Sequence, residues 1–268
     1  MYYKENPSNP PLYRINPSMK VLLIIILTVI ISLAYEPILP LVLLISLFAA
    51  VCYFGRISPA AFLKVLAPFI TLALGFVFFM LLARGLDSSG TYQLWFLKWD
   101  GEDLIISLTL GLRILVIILL SMAFILTTQP VEFILSLIQN LKVPYAVGYA
   151  TLAAYRFLPT FNDELEKIRL AQQVRGIEQE KGIIAGIKAI PRYLLPILAT
   201  AVRRGERAAL AMDGRAFGAF PKRSYYKEIK IQKLDFIALF AVLAYCTVLI
   251  LSLKALGILN LSLGLNLN

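Results

Sequence analysis

Residues 104–127 read LIISLTLGLRILVIILLSMAFILT, twenty-four positions with a single charge, Arg113. A helix crossing a bilayer needs about 20 mostly apolar residues, so this run predicts a transmembrane span. Uncharged runs at 37–55, 65–83 and 236–253 predict three more. The run at 21–35 reaches a plausible length only with Ser18 and Met19 added. Short connections at Glu36-Pro37 and 55–61 make the first three spans antiparallel neighbours. Composition agrees, with 59% of the 268 residues hydrophobic and 16% charged, and a mean hydropathy of +0.78. A soluble domain is nearer 45–50% apolar and about 25% charged. The expectation is an all-α integral membrane protein with five spans.

Charge placement predicts the orientation. Lys4, Arg14 and Lys20 precede the first span, and Arg56 and Lys64 lie in the second connection. The first connection has no Lys or Arg, and the third, 84–103, sets two basic residues against Asp87, Asp100, Glu102 and Asp103. The positive-inside rule then places the N-terminus in the cytoplasm and, after five spans, the C-terminus outside. Tyr92, Trp95, Phe96 and Trp99 fall where an outer aromatic belt would sit. The polar, Pro- and Asn-rich residues 1–20 do not read as a cleavable signal.

The chain divides by composition into 1–127, 128–232 and 233–268. Residues 128–233 hold 17 of the 26 basic residues and nine acids. The region is still rich in apolar residues, but its uncharged runs at 143–155 and 193–202 are too short to span. Pro144, Pro159, Pro191 and Pro196 are expected to cut it into segments. Basic on one side and apolar on the other, such segments suit an interfacial position at the cytoplasmic face. Because the charges interleave with leucine and alanine, the net charge of +10 does not read as a nucleic-acid surface.

Two helical stretches stand out there. In 145–175, Phe157, Phe161, Leu165 and Ile168 form a stripe, while Asp163–Lys167 and Glu166–Arg169 are spaced to pair on the other side. The stretch ends in Val174-Arg175-Gly176. The second, 193–217, carries Arg203, Arg204 and Arg207 and ends in Ala211-Met-Asp-Gly-Arg-Ala-Phe217. Ala146, Ala150 and Ala154 on one stretch and Ala201, Gly205 and Ala209 on the other recur every four positions. Small residues so spaced let two helices cross closely, although alanine is also simply common in helices. Arg175 and Arg215 each stand near a helix end. Either is readable as a docking group or as a helix stop, a cation at the negative dipole end beside a capping glycine.

Other residues read more simply. Thr127-Thr128-Gln129-Pro130 looks like a cap and helix start, with Glu132 in the first turn. Arg113 is an intramembrane charge, functional or packing in role. Cys52 and Cys246 read as packing residues. The absence of histidine removes the commonest general base and metal ligand, and no metal site or catalytic group is assigned.

In order along the chain, Asn16-Pro17-Ser-Met-Lys20, Gly111-Leu-Arg113, Thr127-Thr-Gln-Pro130, Arg156-Phe-Leu-Pro159 with Glu164, Ala171-Gln172 and Ala211-Met-Asp-Gly-Arg215-Ala-Phe resemble landmarks of one family. That family is the transmembrane T component (EcfT/CbiQ-like) of energy-coupling factor transporters, ABC-type importers of vitamins and trace metals. Its signature is a pair of Ala-Arg-Gly-like triplets at the ends of two coupling helices. Here they are Val174-Arg175-Gly176 and Gly214-Arg215-Ala216, so only the arginine is ideal in both. The resemblance implies two cytoplasmic ABC ATPase subunits that bind ATP and Mg, a small substrate-binding membrane subunit, and no cofactor on this chain. Crossed coupling helices would pass ATPase motion to that membrane subunit. Two alternatives compete with this reading. One is a conventional ABC permease subunit. The other is a metal-dependent phosphotransferase, suggested by Asp213-Gly214-x-Ala216 but lacking a second aspartate cluster.

Overall fold

Asn16 and Pro17 open the first long helix as their chemistry dictates. The Asn16 side chain accepts from the Ser18 N–H at 3.1 Å, and proline supplies a pre-set φ where no N–H is needed. In the computed structural model, which describes residues 10–33, 36–56, 58–87, 92–94, 97–99, 101–176, 183–220 and 225–255, this helix is α2 (Pro17–Ser32), preceded by the short α1 (Pro11–Arg14). There follow α3 (Ile38–Gly55), α4 (Pro59–Asp87), α5 (Gly101–Thr127), α6 (Pro130–Asn140), α7 (Tyr145–Val174), α8 (Ile183–Asp213) and α9 (Lys233–Ala255). A short antiparallel hairpin, β1 (Tyr92–Leu94) and β2 (Leu97–Trp99), pairs Gln93 with Lys98 between α4 and α5. Trp95 and Phe96 of the expected aromatic belt lie outside the described residues, as do 256–268.

Four helices are long and apolar enough to cross a membrane, namely α3, α4, α5 and α9. The fifth expected span, 21–35, falls on a shorter apolar helix. Its helix α2 begins at Pro17 and ends at Ser32, so 16 residues at a rise of 1.5 Å give about 24 Å, short of the roughly 30 Å hydrocarbon core. Conversely, α4 starts six positions before the expected 65 and takes Lys64 and Arg84 into the helix. Charges at helix ends do not stop a helix, because long basic side chains reach past its apolar surface.

Contacts divide the chain into two units, Met1–Ser136 with Ile229–Asn268, and Leu137–Glu228. In the first, α5 is the central helix. Its Val116 and Leu120 pack with Leu27 and Ile31 of α2 and Cys246 of α9, while Leu119 and Met122 meet Val51 of α3 and Phe62 of α4. Gly111 leaves no room for a side chain beside Val77, which lets α4 lie close against α5. Large apolar side chains face outward as well, with Phe78 and Phe79 of α4 65% and 63% exposed. Such a surface is costly in water and ordinary in lipid.

In the second unit, Pro144 precedes α7 as its N-cap, as expected, but the other three prolines do not cut the chain. Pro159 lies inside α7, and Pro191 and Pro196 inside α8. Each proline removes one ladder bond, but the apolar stripe keeps its phase across it. Phe157 and Phe161 flank Pro159 on one face and both stack on the same partner, Arg204. Helix α8 accordingly begins at Ile183, ten residues before the expected start.

Candidate coupling site

Helices α7 and α8 lie antiparallel, and side-chain contacts at three levels mark their register. Phe217, just beyond α8, meets Tyr145 at the start of α7, with ring centroids 5.6 Å apart. Midway, the Arg204 guanidinium lies 5.6 Å from the Phe157 ring and 5.7 Å from the Phe161 ring. It also forms an ion pair with Glu164. Toward the other end, Arg169 of α7 sits 5.8 Å over Tyr193 of α8. The C-terminal ends of the two helices therefore point opposite ways along the pair. About 45 Å of helix separates them, at 1.5 Å per residue over the length of α7.

At these two ends stand the two triplets. Arg175 is the C-cap of α7; its N–H donates to the Ala171 carbonyl at 3.3 Å, and the Gly176 N–H to the Gln173 carbonyl at 3.0 Å. Gly176 has φ of +77°, the left-handed stop that glycine makes readily. At the end of α8, the Arg215 N–H donates to the Met212 carbonyl at 3.0 Å and the Ala216 N–H to the Asp213 carbonyl at 2.9 Å. Ala216 has φ of +57°. The third residue of both triplets thus takes the same left-handed turn, once with glycine and once with alanine. Both arginines are exposed, Val174 is 89% exposed, and neither arginine closes an ion pair among the described residues. The helix-stop geometry and the exposure of the arginine are products of one turn.

The second turn is clamped from α7. Phe217 packs edge-on to both Tyr145 and Tyr149. Gly218, at φ of +96°, has the Tyr145 hydroxyl 3.1 Å from where a side-chain carbon would stand.

The small-residue seams are corrected. Ala146, Ala150, Ala154, Gly205 and Ala209 are exposed and Ala201 is half-buried, and a side-chain carbon on Gly205 would meet nothing within 4 Å. The contacts described between the helices are made instead by aromatic rings and arginines. The small residue α7 does require is Gly148, buried where Ile138 of α6 leaves no room for a side chain. Nor do the expected within-helix pairs Asp163–Lys167 and Glu166–Arg169 close among the described residues; the ion pair here is Glu164–Arg204.

In the membrane unit, two sequence landmarks 107 positions apart prove to be partners. The Lys20 Nζ donates to the Thr127 carbonyl at 2.9 Å and to the Thr127 and Thr128 hydroxyls at 3.3 Å each. Beside it, Asp235 accepts from the Asn16 N–H at 2.8 Å and from the Gln232 N–H at 2.7 Å, the second being half of a capping box that opens α9. Asp235 is 1% exposed and Lys20 8%. Sequence reading took Thr127 and Thr128 as a cap and missed Asp235. Its signal was an acid three residues after the α9 N-cap, at the edge of a span. Arg113 is half-buried in α5, two residues past Gly111.

The CbiQ family model, described as cobalt transport protein, matches residues 8–226. A relative from Lactococcus lactis subsp. cremoris, an energy-coupling factor transporter transmembrane protein EcfT, is 31% identical over 91% of this chain and 94% of its own length. The EcfT proteins of Staphylococcus aureus and Bacillus subtilis are 28% and 27% identical over 91% and 83% of this chain, and over 93% and 86% of their own lengths. With these matches running through both arginine triplets, the chain belongs to the EcfT/CbiQ family of transmembrane T components of energy-coupling factor transporters, as a transporter subunit and not an enzyme.

Proposed function

We propose that this T component couples two cytoplasmic ABC ATPases to a separate, small substrate-binding membrane subunit, for import of a vitamin or other micronutrient. The carrying observation is the pair of exposed arginines on matching left-handed turns at opposite ends of one antiparallel helix pair. One arginine docks on each ATPase against carboxylates, where the planar, permanently charged guanidinium forms two-pronged bonds. Closure of the ATPases on ATP and Mg then shifts the two ends together, and the helix pair carries that shift as a rigid element. The exposed rows Ala146–Ala150–Ala154 and Gly205–Ala209, with their apolar neighbours, are the face offered to the substrate-binding subunit. The N-terminus is cytoplasmic on this reading.

The test is ATPase capture by the membrane-inserted chain. A charge-assisted bond left unmade at a buried interface costs about 2–5 kcal/mol. Arg175→Ala and Arg215→Ala should each weaken capture by tenfold or more and abolish ATP-driven uptake, with insertion unchanged. Lysine should rescue in part. Lys167→Ala, an exposed cation in mid-α7, serves as the control. Equal, small losses in all three variants would remove the assignment.

A further inference from the structure

Within the membrane unit, α1, α2, α3, α5 and α9 line a cavity of about 400 Å³. Its walls come from one end of the bundle only: positions 20–27 of α2, 234–242 of α9, 47–54 of α3 and 120–127 of α5, with Leu12 and Ile15 laid across them. Seven residues of helix make it about 10 Å deep, so it fits within one leaflet of a hydrocarbon core roughly 30 Å thick.

The lining settles the chemistry of an occupant. Its polar side chains are Lys20 and Thr127, and both are already engaged. Lys20 donates to three oxygens, and the Thr127 hydroxyl donates to the Ala123 carbonyl at 2.7 Å. A polar solute entering here would give up its water for no bond in return. A hydrocarbon chain loses nothing. The rim residues Phe54, Leu234 and Ile237 are exposed, so the cavity opens to the surroundings. Basic residues cluster at the same helix ends: Arg14 two positions after Leu12, Arg56 two after Phe54, and Lys233 just before Leu234. Of the acids there, Asp235 is buried and bonded to two N–H groups, and Glu132 is half-buried.

We propose that this cavity is a lipid site that holds an acyl chain of an anionic phospholipid from the leaflet at this end, its phosphate among Arg14, Arg56 and Lys233. The bound chain would fasten α1 to the bundle by filling the space beneath it.

Full-length protein equilibrated with vesicles of equal phosphatidylglycerol and phosphatidylcholine, then released into mild detergent, tests this by native mass spectrometry. The expected result is one retained phosphatidylglycerol per chain, at least tenfold over phosphatidylcholine. Ala123→Phe and Ala238→Phe, which fill the cavity, should lower retention at least fivefold. Arg14→Gln with Lys233→Gln, both at exposed positions, should level the two lipids, and this variant decides alone where a filled variant fails to fold. Equal retention of both lipids by the wild type, or undiminished phosphatidylglycerol in folded, filled variants, would overturn the proposal. So would loss of the lipid on assembly with partner subunits, which would assign the cavity to a partner's apolar side chain.

Discussion

The two units of this chain each join helices through a charged side chain, and they do so by opposite means. In the membrane unit, Lys20 and Asp235 are buried, and each spends its hydrogen bonds on backbone groups or hydroxyls at helix ends. In the coupling unit, Arg204 remains 23% exposed and lies over two aromatic rings beside a single carboxylate. The difference follows from solvent. Where no water can replace a lost partner, each polar group needs a directed bond, and such bonds weaken steeply when bent. Attraction of a guanidinium to a ring face has no single donor–acceptor line, so it tolerates small slides of one helix along the other. The first contact is directional and the second is tolerant of position.

Asp235→Leu should break this contrast most severely. It strands the Asn16 and Gln232 N–H groups, at about 1–3 kcal/mol each, and frees the starts of α2 and α9 together. Thermal melting of the detergent-solubilised chain should drop clearly below wild type. Melting at or above the wild-type temperature would mean that the buried cluster fastens nothing.

A smaller effect is expected from Arg204. Each half-exposed ring contact contributes about 0.5–1 kcal/mol, and an ion pair of this exposure up to about 1 kcal/mol. Arg204→Ala should therefore cost about 1–2 kcal/mol in melting, while uptake in the assembled transporter falls further than stability does. Exchanging the charges, Glu164→Arg with Arg204→Glu, restores the ion pair but not the ring contacts, and should recover only part of the loss. Full recovery would show that the rings are bystanders and the contact is an ordinary salt bridge.

How much of this was legible follows the same division. Long apolar runs declared α3, α5 and α9 directly, because composition alone decides what lipid accepts. The arginine triplets were legible as landmarks, and Gly176 as a stop. The meeting of Lys20 with Thr127 was not, since nothing local couples positions 107 apart. The small-residue seams misled because spacing shows which residues share a face and not which face is used. Phe157 and Phe161 were visible as a stripe, yet their partner was a cation, which apolar periodicity does not register. Pro159, Pro191 and Pro196 misled because one missing ladder bond was weighed without the side-chain packing that an unbroken helix provides on either side of it.

The finest comparison is between the two turns that present the arginines. Gly176 and Ala216 occupy the same position after Arg175 and Arg215, at φ of +77° and +57°. Glycine adopts this region freely, whereas a residue with a side-chain carbon is strained there by about 1–2 kcal/mol. The second turn holds alanine there while Phe217 is packed against Tyr145 and Tyr149. Ala216→Gly should relieve the strain, but glycine also loses more freedom on folding, by roughly 0.5–1 kcal/mol. The net gain should be at most about 1 kcal/mol, with ATPase capture unchanged within about threefold. Gly176→Ala imposes the strain where the described structure has no such clamp, and should loosen the end of α7 and weaken capture more than Ala216→Gly changes it. Hydrogen exchange of the amides at 173–176 and 213–219 reads both effects. Faster exchange at 213–219 in Ala216→Gly would show that the alanine itself stiffens the second turn, and the aromatic clamp would lose its role in presenting Arg215.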